Sequence, residues 1–235
     1  MRLDKYLREQ QVGSRNEVHE LIKHNRVTVD GQVAKKYDFK VKPDEHEVAV
    51  DGKPIKYQAE YFYLVNKPAG VITATSDEKE KTVMDLFTPE DYRTDLFPVG
   101  RLDKDTTGII LVMMDGKLGH RLASPKSKTR KTYLATVTGQ IADTDLQQLK
   151  DGIELKDGTT AVADDARLIS QDPDSVVELT LHEGKYHEVK RMFGAFGEKV
   201  VKLHRVSFAG LTDEALLPGE YRELTLSEIE ELKKL

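Results

Sequence analysis

The 235-residue chain has no cysteine and no tryptophan. Without a thiol there is no disulfide framework, no thiolate metal ligand and no cysteine nucleophile. Long apolar runs are missing as well: the longest, Ile109 to Met114, falls far short of the ~20 residues that cross a bilayer. At the start, charges break Met1-Arg2-Leu3-Asp4 before an apolar stretch can develop, so it does not read as a signal peptide. These absences lead us to expect a soluble, cytoplasmic protein with no membrane partner. An excess of positive charge is also lacking, with 36 Lys and Arg against 41 Asp and Glu and a net charge of −5. Taken whole, that balance argues against a nucleic-acid binder. No Gly-x-x-x-x-Gly-Lys-Ser/Thr, Gly-x-Ser-x-Gly or His-Glu-x-x-His occurs, which leaves P-loop, hydrolase-elbow and zincin chemistry without support.

What is present is charge in patches. Residues 1–40 carry nine Lys and Arg against six Asp and Glu, a net of +3, so the remainder holds 27 against 35, a net of −8. Within the basic segment, Leu3, Tyr6 and Leu7 fall at helical spacing, and Ser14-Arg15-Asn16-Glu17 forms a capping box ahead of Val18, Leu21 and Ile22. After Arg26 the period changes to two, with Val27 and Val29 before the turn Asp30-Gly31 and Val33 beyond it. This predicts a helix, helix, hairpin module. Arg2, Arg8, Arg15, Lys23, Arg26, Lys35 and Lys36 recur along it, and by themselves fit either a solvated face or a surface for an anionic partner. Turn-rich residues 43–60 place a domain boundary near 58.

Beyond it, strands are predicted at 61–65, 71–73, 109–114, 132–137, 175–181 and 200–208. Helices are predicted from Asp115 to Leu122, at 143–149, at 187–196 and, behind Thr225-x-x-Glu228, at 227–234. The uneven interleaving fits an α+β domain better than a doubly wound sheet.

Three segments could carry chemistry. Gly100-Arg101-Leu102-Asp103-Lys104-Asp105-Thr106-Thr107-Gly108 feeds a polar loop into the buried strand that follows, which would hold a carboxylate rigidly at the edge of a core. Such a carboxylate serves either chemistry or an Asx turn. A calcium loop fits its first six positions from Asp103, but the twelfth is Met114 where a bidentate Glu is needed. The second segment, Lys126 to Tyr133, gathers cations ahead of an aromatic, suiting either a backbone-tracking groove with a stacking ring or a plain basic loop. The third, Glu183-Gly184-Lys185-Tyr186-His187-Glu188-Val189-Lys190-Arg191-Met192-Phe193, leads a turn into a helix whose core stripe is Val189, Met192, Phe193 and Phe196. Lys190 and Arg191 then lie off that stripe. No His/Cys/Asp cluster surrounds His187, so no metal site is expected.

In this order and spacing the three segments resemble the bacterial pseudouridine synthases of the ribosomal small-subunit type, and residues 2–33 resemble the alpha-L RNA-binding module of ribosomal protein S-four. The resemblance covers nearly the whole chain and implies two domains. One is a small helix-helix-hairpin RNA-binding domain at 1–58. The other is a catalytic domain at 59–235 with a mixed, largely antiparallel β-sheet and flanking helices. It implies isomerisation of a specific uridine in small-subunit ribosomal RNA, on naked RNA or an assembly intermediate, by a monomer that needs no cofactor. It gives Asp103 the role of nucleophile on a flipped-out nucleotide, Tyr133 that of the tyrosine packed against the target ring, and Lys190 that of the cation paired with the aspartate. Arg101 matches the motif arginine that helps fill the vacated place in the stack, with Lys131 and Arg191 as further substrate-binding cations. The seven cations of the first module then become RNA contacts. Glu188 departs from the pattern, which usually has Gln there. A non-catalytic rRNA-binding assembly factor is the alternative, and a glycoside hydrolase pairing Asp103 with a second carboxylate a weaker one.

Overall fold

A computed structural model of the protein describes residues 1–212, 214 and 216–235. The chain forms two units, Met1–Glu60 and Tyr61–Leu235.

In the first unit, α1 (Leu3–Glu9) buries Leu3, Tyr6 and Leu7, and α2 (Arg15–Lys23) buries Val18 and Ile22. The capping box that starts α2 is formed: Glu17 N–H donates to Ser14 Oγ, and Ser14 N–H donates to Glu17 Oε2 at 2.7 Å. Strands β1 (Val27–Val29), β2 (Gln32–Val33), β3 (Val48–Val50) and β4 (Lys53–Pro54) pair antiparallel in the order β2-β1-β3-β4. Asp30-Gly31 and Asp51-Gly52 make the two hairpin turns, each with φ of 51° and then 76°, the double positive φ that such turns demand. Val27 and Val48 meet the helices in a core with Leu3, Leu7, Val18 and Val41.

The second unit contains β5 (Phe62–Lys67), β6 (Phe97–Val99), β7 (Thr107–Met113), α3 (Gly116–Ala123), β8 (Lys131–Val137), α4 (Asp143–Asp151), β9 (Ile153–Glu154), β10 (Thr160–Ala161), β11 (Asp165–Gln171), β12 (Ser175–Leu181), α5 (Glu188–Ala195), β13 (Val200–Phe208), β14 (Leu211–Thr212), β15 (Tyr221–Glu223) and α6 (Leu226–Lys234). The main sheet runs β11-β12-β8-β13-β7-β5-β15, with β6 on β7 and β14 on β13; β9 and β10 pair separately. Its pairs are antiparallel except β13 with β7. The fold is therefore α+β on a mixed, largely antiparallel sheet.

Period two explains how this sheet fills both faces. Tyr63 and Val65 of β5 with Ile110 and Val112 of β7 belong to the same buried cluster as Leu146 and Leu149 of α4 and Val189, Met192 and Phe193 of α5. The alternate residues Phe62, Leu64, Ile109, Leu111 and Met113 face the other way, onto Leu118 and Leu122 of α3 and Leu232 of α6.

The short strands β3, β4, β6, β9, β10, β14 and β15 were not predicted, and two further segments differ from the sequence reading. Residues 71–73 do not form a strand; Ile72 makes a single bridge to Thr82. The ammonium of Lys67 occupies the Val71 carbonyl at 2.7 Å, a position that a neighbouring strand would otherwise take. Strand β11 went unpredicted because it is an edge strand that pairs only with β12, and the register shift between Leu168 and Ser170 leaves Ile169 exposed and breaks the alternation.

Candidate active site

The site is built where β7 begins. Gly108 carries φ of +104°, and a Cβ there would sit 2.3 Å from the backbone oxygen of Arg205, so only glycine lets β7 and β13 run side by side at this point. The buried Arg205 reinforces the approach by donating from Nε to the Ile109 carbonyl at 2.7 Å.

The loop before β7 is held through its backbone. Thr106 N–H donates to Asp103 O, Leu102 exchanges two hydrogen bonds with Thr73 Oγ1, and Gly70 N–H donates to Lys104 O at 2.8 Å. Lys67 is fully buried and donates to the carbonyls of Val71, Pro68 and Lys104. Burial pulls its ammonium down to about 8, because desolvation disfavours the charged form.

With the backbone fixed in this way, the Asp103 carboxylate faces side chains. Lys190 Nζ of α5 lies 3.1 Å from Oδ2, and His187 Nε2 lies 3.5 Å from Oδ1. Lys190 also donates to both oxygens of Asp105, at 2.7 and 2.9 Å. Burial pulls the Lys190 ammonium down, but the bonds to Asp105 and Asp103 outweigh it and hold the group above the ordinary lysine value. The same Lys190 bond is the main cause that keeps Asp105 below the usual carboxylate range.

The start of α5 aims these groups. His187 adopts a left-handed backbone, with φ of 47° and ψ of 36°, which a non-glycine residue rarely takes and which is found where function over-determines it. The turn before it is pinned by Glu188, whose backbone N–H donates to Lys185 O while its Oε2 accepts from Lys185 N–H. Glu188 is buried, which raises its carboxyl pKa, and its Oε1 has no hydrogen-bond partner.

A small open pocket beside Asp103 is lined by Arg101, Thr106, Tyr133, Lys185, His187 and Glu188, with apolar walls from Leu102, Leu181, Val189 and Leu203. Thr106 Oγ1 is buried on this wall without a partner. Tyr133 reaches it from β8, whose inward residues alternate with solvent-facing ones. A carboxylate paired with an ammonium, a tyrosine ring and unspent polar groups on an apolar wall suit chemistry on a flat, polar-edged ring.

The structure thus brings Arg101, Asp103, Tyr133 and Lys190 together. It does not bring Lys131 or Arg191 among them. Lys131 is buried and donates to the carbonyls of Thr129 and His182, and desolvation pulls its ammonium down to about 8. Arg191 turns away, pairing with Asp157 and donating to Tyr186 O. Hydrogen bonds from Thr159, and then from Arg191, hold Asp157 at about 2. Sequence reasoning missed Thr106, His187 and Lys67 as members of the site. His187 was visible only as a helix-start residue, since neither its left-handed turn nor its approach to Asp103 has a spacing signal.

In the first unit, Arg8, Arg15, Lys35 and Lys36 are exposed. Lys23 lies 3.3 Å from Glu20, Arg26 pairs with Asp51, and Arg2 pairs with Asp4 and lies over the Tyr37 ring. Lys23 and Lys35 flank a hollow together with Ile22 and Asn25, beside the stacked rings of His19 and Tyr37. Among the described residues, no group of three or more His, Cys, Asp or Glu could hold a metal ion, and no helix is long and apolar enough to cross a membrane.

Comparison with known proteins agrees with this geometry. The family model for RNA pseudouridylate synthase matches residues 61–195, and that for the S4 domain matches residues 1–47. The chain is 45 % identical over 231 residues to the uncharacterized RNA pseudouridine synthase YtzG of Bacillus subtilis (strain 168), covering 97 % of each chain. It is 42 % identical to ribosomal small subunit pseudouridine synthase A of Escherichia coli (strain K12), over 97 % of this chain and 98 % of that one. A crystal structure of a pseudouridylate synthase superposes with a TM-score of 0.66 at 34 % identity, covering 99 % of both chains. The chain therefore belongs to the RNA pseudouridylate synthase family, as an enzyme with an S4 domain ahead of its synthase domain.

Proposed function

We propose that this enzyme converts one uridine of small-subunit ribosomal RNA to pseudouridine, with Asp103 as the nucleophile acting on a flipped-out nucleotide. The observation that carries the reading is the Asp103 carboxylate held by Lys190 at 3.1 Å on the wall of a pocket that Tyr133 also lines. The similarity over 97 % of the chain to a small-subunit enzyme supports the choice of RNA.

The reaction breaks the bond between N1 and C1′ and forms one between C5 and C1′; the C5 proton leaves and N1 takes one up, so nothing is oxidised or reduced and no cofactor is needed. Asp103 acts as the nucleophile through its carboxylate, beside which Lys190 places a cation at 3.1 Å. Tyr133 packs against the uracil. Arg101 steadies the vacated stack, offsetting the few kcal/mol that extrusion costs. In the N-terminal module, Arg2, Arg8, Arg15, Lys23, Arg26, Lys35 and Lys36 supply affinity for the phosphate backbone. Lys131 acts from beneath the site by fixing the carbonyls of Thr129 and His182, and Arg191 by fixing the turn at Tyr186. The enzyme acts in the cytoplasm as a monomer.

Tritium release from small-subunit ribosomal RNA labelled at uridine C5 tests this. Stoichiometric release at a single mapped position is expected. Release from large-subunit RNA alone would overturn the choice of substrate.

A further inference from the structure

Tyr186 is the most exposed aromatic ring among the described residues, at 76 %. It belongs to none of the three hydrophobic clusters, and its ring makes one aromatic contact, a stack on His187 with centroids 3.8 Å apart and planes 20° from parallel. Its backbone is fixed separately, since Arg191 Nη1 donates to its carbonyl. The ring is therefore held in place, with one face covered and the other open to solvent. The residues on either side of it, Lys185 and His187, line the Asp103 pocket, and His187 reaches the Asp103 carboxylate. An aromatic face left in water contributes little to folding, whereas beside a pocket mouth that carries Arg101 and Lys185 it is the feature on which an unpaired base stacks. Arg101, exposed at the same pocket and without an ion pair among the described residues, supplies the charge that attracts a phosphate backbone.

We infer that Tyr186 is a stacking platform for the nucleotide next to the extruded uridine, so that target RNA is gripped by base–Tyr186–His187 stacking at the lip of the site. The inference rests on the isomerase reading above and extends it to the neighbouring base. Stacking of this kind tolerates any base but requires one to be present. Tyr186 is then a specificity-determining residue that acts on binding: it distinguishes a splayed loop, whose bases are free to stack, from a continuous duplex.

The test uses the full chain and fragments of small-subunit ribosomal RNA containing the mapped uridine, with tritium release as the readout. Tyr186→Ala should raise KM about tenfold, within the range that aromatic stacking supports, and leave kcat within about twofold. Tyr186→Phe and Tyr186→Trp should keep wild-type KM. The fragment is then made with an abasic nucleotide on the 5′ or the 3′ side of the uridine. On one of the two, wild type should lose the same tenfold and Tyr186→Ala should lose nothing more. Equal KM for wild type and Tyr186→Ala on intact RNA overturns the inference, and so does a tenfold effect of Tyr186→Ala that persists on both abasic fragments. Failure of the isomerase reading is distinguishable, because wild type would then release no tritium from intact RNA, and both proposals would fall together.

Discussion

Replacing Lys190 by Met keeps an unbranched side chain, shorter by one heavy atom, and removes its charge. At 3.1 Å from Asp103, with both side chains less than one-third exposed, the gross attraction is about 5 kcal/mol at an effective dielectric constant of ~20. Most of that is offset by the cost of desolvating the ammonium, and a hydrogen bond to a charged group contributes about 1.5–3 kcal/mol net. If the pairing is maintained into the transition state, Lys190→Met should lower kcat by roughly 10- to 150-fold. It also leaves Asp103 and Asp105 without the cation that the two carboxylates now share. Asp105, which the Lys190 bond holds below the usual carboxylate range, should then titrate higher. RNA affinity should change by less than threefold. Lys190→Arg should recover part of kcat, since the charge is kept but the planar guanidinium meets the carboxylates differently. Steady-state kinetics of tritium release across pH 5–9 checks this. Near-normal kcat for Lys190→Met, together with a severe defect in Arg191→Met, would refute the reasoning and move the cationic role by one residue.

Other outcomes can be checked separately. Gly108→Ala places a Cβ 2.3 Å from Arg205 O at a φ of +104° and should cost more than about 3 kcal/mol, read as loss of soluble protein or a large drop in denaturant midpoint. Glu228, bonded to Arg222 and capping α6 at Thr225, is held at about 2 against an ordinary 4.5. Because the folded value is depressed, its stabilisation is present above 4.5 and lost as pH falls toward 2. Discounted for the exposure of Arg222, Glu228→Gln should cost about 1–2 kcal/mol at pH 7, and the gap should close between pH 4 and 2 in urea titrations. Lys23→Gln with Lys35→Gln should weaken RNA binding and reduce the slope of log K against log salt by about 1 per lost phosphate contact, with kcat at saturating RNA unchanged.

The N-terminal module was legible because its signals are local: a capping box, a helical stripe and an Asp-Gly turn each need only neighbouring residues. The same holds for α5, whose core stripe at Val189, Met192 and Phe193 left Lys190 on the side that meets Asp103. Non-local features were not legible. Residues 71–73 carry a strand-like composition, but Lys67 takes the carbonyl that a strand would pair, and the sequence does not say where that ammonium goes. Lys131 read as a basic-loop cation because burial is not written in a run of charges; only the fold shows it spent on two carbonyls. His187 and Thr106 join the site through a left-handed turn and a loop crossing, which leave no periodic trace.

The most direct measurement is position-resolved mapping of pseudouridine in small-subunit ribosomal RNA incubated with wild type and with Asp103→Asn, at matched RNA occupancy and with thermal unfolding followed in parallel. The amide keeps the size of the side chain and loses the nucleophilic charge. Chemistry at Asp103 predicts one fully converted uridine with wild type and less than one-thousandth of that rate with Asp103→Asn, at unchanged fold and RNA affinity. Turnover of a tenth or more in the variant, or no converted uridine with wild type, would contradict it.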